Sequence, residues 1–443
     1  MKKIATFILV AIFILPIMAY LNHNEEKQLD IYVAISGNDE QAGTLAKPLR
    51  TLKQAASVAK AGTTVHVGEG TYGEKLIVQH SGSESKPIIF KSYQNEKVVL
   101  NGENLENVQG DNALITLNNK NHVTISGFTI EDLSTDQADE TVMGIFVTGS
   151  SSHILLDNNH IQRIETHSDQ GNGHGIAVYG IGLTEDILIT NNTVEDLKLG
   201  SSEAVALNGN IDGFQISGNL VRRCNNIGID LIGYEGVSLD KNMDYVRNGV
   251  VSRNRVYDIS VYNNPAYDKE YSAGGIYVDG GRDIVIKENT IFQNDIGIEA
   301  SSEHKGEFAE NIKIMNNRIY GNFFTGIAIG GYDEHRGGTK NSHISKNVLY
   351  RNDSKGMGGG QLMIQHKAKA NTIEKNILTA GPSRIFVANY FKTGKNNKFN
   401  QNVFHKESEE KGIWIWQDEE FTSFSAFKSV SGSDKETIYI DPH

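Results

Sequence analysis

The chain has 443 residues, of which 54 are Asp or Glu and 42 are Lys or Arg, and its net charge is −12. Such an acidic chain lacks the basic face that general nucleic-acid binding requires, although a local basic cleft would still accept an anionic glycan. The single cysteine excludes an intrachain disulfide framework, and 45 glycines with only 6 prolines favour one elongated domain over two domains joined by a linker.

Residues 1–21 have the pattern of an export signal. Two lysines precede an apolar run from Ile4 to Leu21, which is the order of a secretory signal peptide. An uncleaved membrane anchor formed by residues 4–21 is the alternative, and residues 22–28 would then be a polar tether. Both interpretations place the body of the protein outside the cytoplasm, either secreted or attached to the membrane.

The segment that follows predicts a cap for a stack of strands. Residues 29–71 contain a strand, a turn, a helix from about Thr51 to Lys60 and a second strand, TTVHV. An exposed end of stacked strands needs a cover over its core and its edge. We therefore expect an N-terminal cap at 29–71, coils at 72–404 and a C-terminal cap at 405–443, all in one domain spanning residues 29–443.

Nine asparagines recur at the same place in strand-like phrases such as ILITNNTV and IVIKENTI. They are Asn159, Asn192, Asn219, Asn254, Asn289, Asn317, Asn347, Asn376 and Asn402. Asparagine tolerates the left-handed region of a sharp bend, and stacked amides can bond one another along the axis. Their regular spacing predicts an all-β, right-handed parallel β-helix (a solenoid) of about nine to eleven coils with an N-terminal capping helix. We expect a monomer.

A second phrase lies between the asparagines, as in GIFVTG, GIAVYG and GIDLIG. Its period-two alternation points the aliphatic residues inward. The residues between them face outward and read, coil by coil, Phe146, Ala177, Ala206, Asp230, Tyr277, Glu299, Ala328 and Met363. The next outward positions are Thr148, Tyr179, Asn208, Ile232, Asp279, Ser301, Gly330 and Gln365.

The opening YVAISGNDEQAGTLAKPLRTLKQAASVAKAGTTVHVGEGTY resembles that of secreted right-handed parallel β-helix carbohydrate enzymes. It is most similar to the family 9 pectate lyases and their relatives among chondroitinase- and alginate-lyase-like proteins, and the coil phrases extend the resemblance over most of the chain. The resemblance implies the fold and an extracellular location. Family 9 lyases use acidic calcium ligands and a lysine base, but the superfamily also hosts hydrolases and epimerases.

Four outward residues, Asp230, Tyr277, Asp279 and Glu299, interrupt rows that are otherwise mostly small or neutral. They lie on three successive coils, and neighbouring strands are about 4.8 Å apart. Carboxylates this close repel one another, so a cation, a shared proton or basic loops should compensate them. The alternative is that these acids only keep the sheet soluble.

Basic and aromatic residues in the flanking turns complete the predicted site. They are Tyr234, Arg282, His304, Lys305, Tyr332, His335 and Arg336, with His174 and Tyr179 two coils earlier. Two insertions, Tyr234–Arg247 and Tyr262–Ser272, should wall this face, because insertions in a solenoid emerge as loops that often carry binding sites.

We expect a polysaccharide lyase that cleaves a uronic-acid-containing polysaccharide by β-elimination. Asp230, Asp279 and Glu299 are hard oxygen ligands suited to calcium. Lys305 is the expected base with His304 in reserve. Arg282 or Arg336 would hold the uronate carboxylate. Tyr277 would donate to the leaving oxygen. The remaining substrate contacts are expected from His174, Tyr179, Tyr234, Tyr332 and His335.

Three alternatives stay open at this point. An inverting glycoside hydrolase could use Asp230 and Glu299, whose backbones would lie about 9.6 Å apart on strands two coils from each other. C-5 epimerisation shares the first proton abstraction with the lyase. A non-catalytic cell-surface solenoid that binds glycans would need more exposed aromatic residues than the strands present.

Overall fold

The computed structural model describes residues 29–441. The predicted signal or anchor and the tether, residues 1–28, lie outside the described residues. Within residues 29–441, no helix combines the length and the apolar character that crossing a membrane would require.

Parallel strands build almost the whole molecule, in a 26-stranded sheet that bends into two faces and a 13-stranded sheet that forms the third face. The first face comprises β1 (Leu29–Val33), β2 (Thr63–Val67), β5 (Ile88–Ser92), β8 (Asn121–Ser126), β11 (Ser152–Asp157), β18 (Val246–Ser252), β21 (Arg282–Lys287), β24 (Phe308–Glu310), β25 (Lys313–Met315), β28 (Gly338–Lys340), β29 (His343–Ser345), β32 (Thr372–Glu374) and β35 (Lys398–Asn400).

The second face, called the site face below, carries the GIxV-type phrases. It comprises β4 (Leu76–Ile77), β7 (Gly110–Asn118), β10 (Glu140–Gly149), β13 (Asn172–Thr190), β15 (Val205–Ser217), β17 (Ile229–Ile232), β20 (Gly274–Asp279), β23 (Ile296–Ser301), β27 (Thr325–Ile329), β31 (Leu362–Ile364), β34 (Ile385–Asn389) and β37 (Ile413–Trp416). The long strands β13 and β15 bend and continue into the first face, and β38 (Glu419–Phe421) pairs antiparallel with β37.

The third face contains one strand for each coil. It comprises β3 (Gly70–Tyr72), β6 (Val98–Asn101), β9 (Phe128–Thr135), β12 (His160–Thr166), β14 (Thr193–Leu197), β16 (Leu220–Cys224), β19 (Arg255–Ile259), β22 (Thr290–Phe292), β26 (Arg318–Tyr320), β30 (Val348–Tyr350), β33 (Ile377–Thr379), β36 (Val403–His405) and β39 (Ile438–Ile440). Its 13 strands exceed the expected nine to eleven coils, because irregular coils without the asparagine phrase extend the stack at both ends.

A single aliphatic core fills the space between the three faces. The inward pairs of the site face, such as Ile176 with Val178 and Ile276 with Val278, are fully buried in it. This confirms the alternation expected from the sequence. Because every coil presents the same inward positions, the core runs continuously along the axis and holds each outward row in fixed register.

The nine asparagines form a buried ladder at the bend between the first and third faces. The side-chain amides of the first eight donate to the side-chain oxygen of the next asparagine, as from Asn254 to Asn289 at 3.0 Å and from Asn289 to Asn317 at 3.0 Å. The expected reason for the bend was wrong in one respect. The positive φ falls on the preceding residue, for example Glu288 at 58°, while the Asn289 side chain accepts from the Asn254 backbone N–H and donates to the Val251 carbonyl, both on the preceding coil.

Short helices lie at both ends of the stack. Helix α1 (Leu52–Val58) begins after Thr51, whose side chain accepts a hydrogen bond from the Gln54 amide, and it buries Leu52 and Ala55. A 3-10 turn follows at Tyr93–Asn95. Helix α2 (Phe424–Ser431) covers the other end, where Phe427 stacks on Trp414.

Candidate functional site

The outward row expected from the sequence is present in the observed strand register. Asp230 of β17 pairs with Tyr277 of β20, which pairs with Glu299 of β23. The flanking partners on β15 and β27 are Ala206 and Ala328. The core beneath therefore fixes two acids and a phenol in one line across three strands.

These outward side chains are buried, although the sequence placed them on the outer surface of the strands. Asp230, Tyr277, Asp279 and Glu299 are only 3%, 4%, 4% and 6% exposed. The loop at 262–272 accounts for part of the cover, because Tyr267 and Ser272 line a cavity over the row. An insertion therefore walls the acids, as expected, and also removes them from bulk water.

The cavity has a volume of about 370 Å³ and is lined mainly by carboxyl, phenol and apolar groups. Its lining residues are Asn226, Ile227, Tyr267, Glu270, Ser272, Tyr277, Ile296, Glu299, Glu303, Phe324, Tyr332 and Gln365. No Lys, Arg or His belongs to this lining in the described part of the chain. Any acid–base chemistry inside the cavity therefore falls to carboxyl or phenol groups.

Two further acids, Glu203 and Glu303, belong to the cluster and were not identified from the sequence. The backbone N–H of Glu303 donates to Asp279 at 2.6 Å, and its carboxylate accepts from Arg336 at 3.2 Å. Burial raises the pKa of Asp230, and the charge of Glu203 raises it further, so Glu203 lies close to Asp230. Both missed residues lie just beyond strand ends, so the alternation of the strands gave no signal for them.

Burial makes these carboxyls unusually weak acids. It raises the pKa of Glu299 to about 8, with a further contribution from the charge of Glu303. It also raises the pKa of Glu203 to about 8 and that of Asp279 well above its usual value. Burial raises the pKa of Glu303 as well, but Arg336 opposes that rise. Burial therefore favours the protonated forms of Glu299 and Glu203 at neutral pH, whereas Arg336 favours the ionised form of Glu303.

His174 and Tyr179 form a buried pair next to Glu203. The Nδ1 atom of His174 lies 2.9 Å from the Glu203 carbonyl oxygen, and Nε2 lies 3.0 Å from the Tyr179 hydroxyl. Burial lowers the pKa of His174 to about 4, so the ring is neutral at pH 7. Because His174 is 1% exposed with both nitrogens engaged, the substrate contact expected from it is not possible in this arrangement. Its place is structural.

The basic residues predicted in the turns that flank the site are present, but Arg282, His304 and Arg336 already contact carboxylates or phenols. Arg282 bonds the Tyr234 hydroxyl and lies 3.5 Å from Glu307. The ring of His304 lies 2.9 Å from Glu235. Arg336 lies above the Tyr332 ring, at 4.9 Å from its centre.

Two other residues of these turns, Lys305 and His335, are not placed where the expected chemistry needs them. Lys305 is exposed in the turn after β23 and is not among the cavity-lining residues. His335 is exposed, and its backbone amide donates to Asp333 at 2.7 Å. The expected base therefore lies outside the cavity in this conformation.

The acidic cluster has the donor chemistry of a hard-cation site. Asp230, Asp279 and Glu299 are buried without a compensating positive charge and offer the oxygen ligands that calcium prefers, but the three are not among the groups of described residues whose ligand atoms lie within 4.8 Å of one another. A second arrangement joins Glu235, Asp279 and His304, whose ligand atoms lie within 4.8 Å of one another. Asp279 is common to both groups.

Comparisons with known proteins agree with this architecture. Residues 31–229 match the family described as "Pel9A-like, right handed beta helix region", and residues 143–335 match "Right handed beta helix region". The chain is 55% identical over 420 residues to the "Uncharacterized protein YwoF" of Bacillus subtilis, covering 95% of this chain and 89% of that protein.

Two other likenesses are more limited. The pectate lyase PEL9 of Emericella nidulans is 29% identical over 160 residues, which is 32% of this chain and 34% of that protein. Among solved structures, the GH136 lacto-N-biosidase from Eubacterium ramulus has a TM-score of 0.55 at 13% identity, covering 88% of this chain and 67% of that chain. The second likeness concerns the fold alone.

Fold and matches together define the class as right-handed parallel β-helix proteins. Within that class the chain belongs to the family of YwoF, because the identity extends over nearly the whole of both proteins.

Proposed function

We propose that this protein hydrolyses a glycosidic bond of an acidic polysaccharide in the cavity over β17, β20 and β23. One observation carries the proposal: Glu299 and Glu303 line the same cavity in different electrostatic environments. A glycosidase needs one protonated and one ionised carboxyl group. The match to a pectate lyase over part of the chain supports an acidic polysaccharide as the substrate.

Glu299 is the general acid in this proposal. With a pKa of about 8 it keeps its proton at neutral pH and can transfer it to the departing glycosidic oxygen. Glu303 is the carboxylate, because Arg336 favours its ionised form. It would activate the attacking water or stabilise the positive charge that develops on the sugar. Asp230, which the sequence paired with Glu299 for inverting hydrolysis, is too strongly buried to ionise readily.

The second candidate is the uronate lyase, which the acidic cluster specifically favours. Asp230, Asp279 and Glu299 would hold a calcium ion, and that ion would neutralise the substrate carboxylate and so acidify the neighbouring proton. Lys305, or His304, would remove that proton. This mechanism needs Lys305 to enter the cavity from its exposed turn, whereas the hydrolase uses groups that already line it.

The site of action would be outside the cytoplasm. We propose that residues 1–21 export the protein or that residues 4–21 hold it at the membrane, since the two lysines and the apolar run have the order of a signal segment. A polysaccharide-cleaving protein would then meet its substrate at the cell surface. The length of the secreted chain, measured by mass spectrometry, separates cleavage from anchoring.

Product analysis tests the proposal directly. Full-length protein is incubated with polygalacturonate, alginate and hyaluronan, with calcium or with a chelator, and both reducing ends and unsaturated-uronate absorbance are followed. Hydrolysis predicts saturated products that form equally with chelator. Glu299→Gln should lower turnover by about 10²–10⁴-fold, while the exposed Glu334→Gln should not. Unsaturated products that require calcium would overturn the hydrolase and support the lyase.

A further inference from the structure

The charge of this chain is divided unevenly along the sequence. Residues 336–398 contain 12 Lys or Arg and only 2 Asp or Glu, a net charge of +10, in a chain whose net charge is −12. The remaining residues therefore carry −22. A strong charge asymmetry of this kind indicates an interaction surface for an oppositely charged partner.

Part of this charge is stacked in register on three successive coils. Lys340 at the end of β28 pairs with Lys369, and Lys369 pairs with Lys395, each through a parallel bridge. Like charges on neighbouring strands repel one another. Lys340 is compensated by Glu310 at 3.1 Å, and both Lys340 and Lys369 lie about 5 Å from the centre of the Phe308 ring, at 4.9 and 5.1 Å.

Within residues 29–441, four of the lysines have no carboxylate partner within ion-pair distance. Lys367, Lys369, Lys392 and Lys395 line a surface hollow of about 620 Å³. Among the ion pairs of the described residues, none involves any of these four. We call Lys340, Lys367, Lys369, Lys392 and Lys395 the lysine surface.

The lysine surface is continuous with the cavity. The ammonium of Lys367 donates to the backbone carbonyl of Arg336, and the guanidinium of Arg336 bonds Glu303, which lines the cavity. Gln365, two residues before Lys367, also lines the cavity. A chain molecule that enters the cavity can therefore continue over the lysines along the solenoid axis.

We infer that the lysine surface binds the carboxylate groups of an acidic polysaccharide strand outside the cavity. The stacked lysines rise by about 4.8 Å for each coil and present a row of positive charge to a linear polyanion. The identity of the polymer rests on the proposed function, because it follows from the adjoining cavity. The acids Glu299 and Glu303 of the adjoining cavity would repel a densely charged nucleic acid or polyphosphate more strongly than a glycan with separated carboxylates.

Binding is measured with full-length Glu299→Gln protein, so that cleavage does not interfere, against polygalacturonate at several salt concentrations. The test variant adds Lys369→Gln and Lys395→Gln, and the matched control adds Lys53→Gln and Lys60→Gln, which remove the same charge near the N-terminal cap. We expect the test variant to bind about tenfold more weakly at low salt with a shallower salt dependence, by analogy with charge contacts on other polyanions. The control should bind as before, and neutral dextran should not bind.

Equal affinity of the test and control variants would overturn the inference. Tighter binding of polyphosphate or DNA than of any carboxylated glycan would also overturn it and assign the lysines to phosphate polymers. Thermal melts of both variants establish that they are folded. If polygalacturonate binds through the lysines but the wild-type protein cleaves none of the glycans, the proposed hydrolase fails while the binding surface stands.

Discussion

Replacing Glu299 with Gln should alter stability in a way that depends on pH. Burial, with help from Glu303, raises the pKa of Glu299 from 4.5 to about 8 in the folded protein, a difference of 8 − 4.5 = 3.5. The folded state therefore holds this proton more tightly than the unfolded chain does. Its stabilising contribution is fully present below pH 4.5 and is lost as the pH rises through about 8.

The magnitude follows from these two pKa values. A difference of one in pKa corresponds to about 1.36 kcal/mol, so the whole difference is worth roughly 5 kcal/mol as an upper limit. Between pH 5 and pH 8 the linkage relation gives about 3–4 kcal/mol. Because glutamine does not titrate, Glu299→Gln should gain about this much stability relative to the wild type when the pH is raised from 5 to 8.

Urea unfolding of the wild type, Glu299→Gln and the exposed control Glu334→Gln at both pH values measures this change, with chelator present. A stability difference between Glu299→Gln and the wild type that is the same at both pH values would refute the reasoning. Repeating the series with calcium then tests the lyase. If calcium binds the ionised Glu299 carboxylate, Glu299→Gln should instead lose stability at pH 8, because it removes a ligand.

Two other predictions concern the ladder and the exposed lysine. Asn289→Leu leaves the buried backbone N–H of Asn254 without its 2.9 Å partner and removes three more hydrogen bonds. Urea unfolding should therefore show a loss of about 2–4 kcal/mol in the free energy of unfolding. The exposed control Asn242→Leu should be near neutral, and equal effects of the two substitutions would show that the ladder contributes little. Lys305→Ala should leave turnover within about twofold if cavity carboxyls catalyse the reaction, whereas a loss of orders of magnitude with unchanged substrate binding would identify Lys305 as a base.

The sequence predicts most of the fold because each coil repeats the same pattern of inward aliphatic residues and the same asparagine at the bend. Aliphatic residues that face inward at every second position, with one asparagine amide at each bend, can stack in only one register. The alignment of Asp230, Tyr277 and Glu299 in one row was therefore predictable from the sequence. The ladder was likewise predictable, since unpaired buried amides would be costly. Its neighbour at the other bend, which joins Asn294, Asn322 and Asn352, obeys the same rule but lies in less regular phrases.

The environment of the row could not be predicted in the same way. Alternation tells which side of a strand a residue faces, but not whether a loop covers that side. The burial of Glu299 depends on residues far from it in sequence, such as Tyr267 in the insertion and Tyr332 in a turn. Glu203 and Glu303 lie outside the strands and join the cluster only through loop geometry. The chemistry of the site therefore depends on loops and turns whose conformation the sequence repeat does not predict.

The same five carboxyls can serve two reactions, and the difference between the reactions is the source of the compensating positive charge. Protons on Glu203, Asp230, Asp279 and Glu299 make the site a set of general acids, whereas a divalent cation would make it a carboxylate binder. The lysine surface is compatible with both reactions, because it lies beyond the cavity and needs only an anionic strand. Substrate attraction and bond cleavage are thus assigned to separate regions of opposite charge. Removing positive charge from the lysine surface should raise KM without changing kcat, and removing the Glu299 proton should lower kcat.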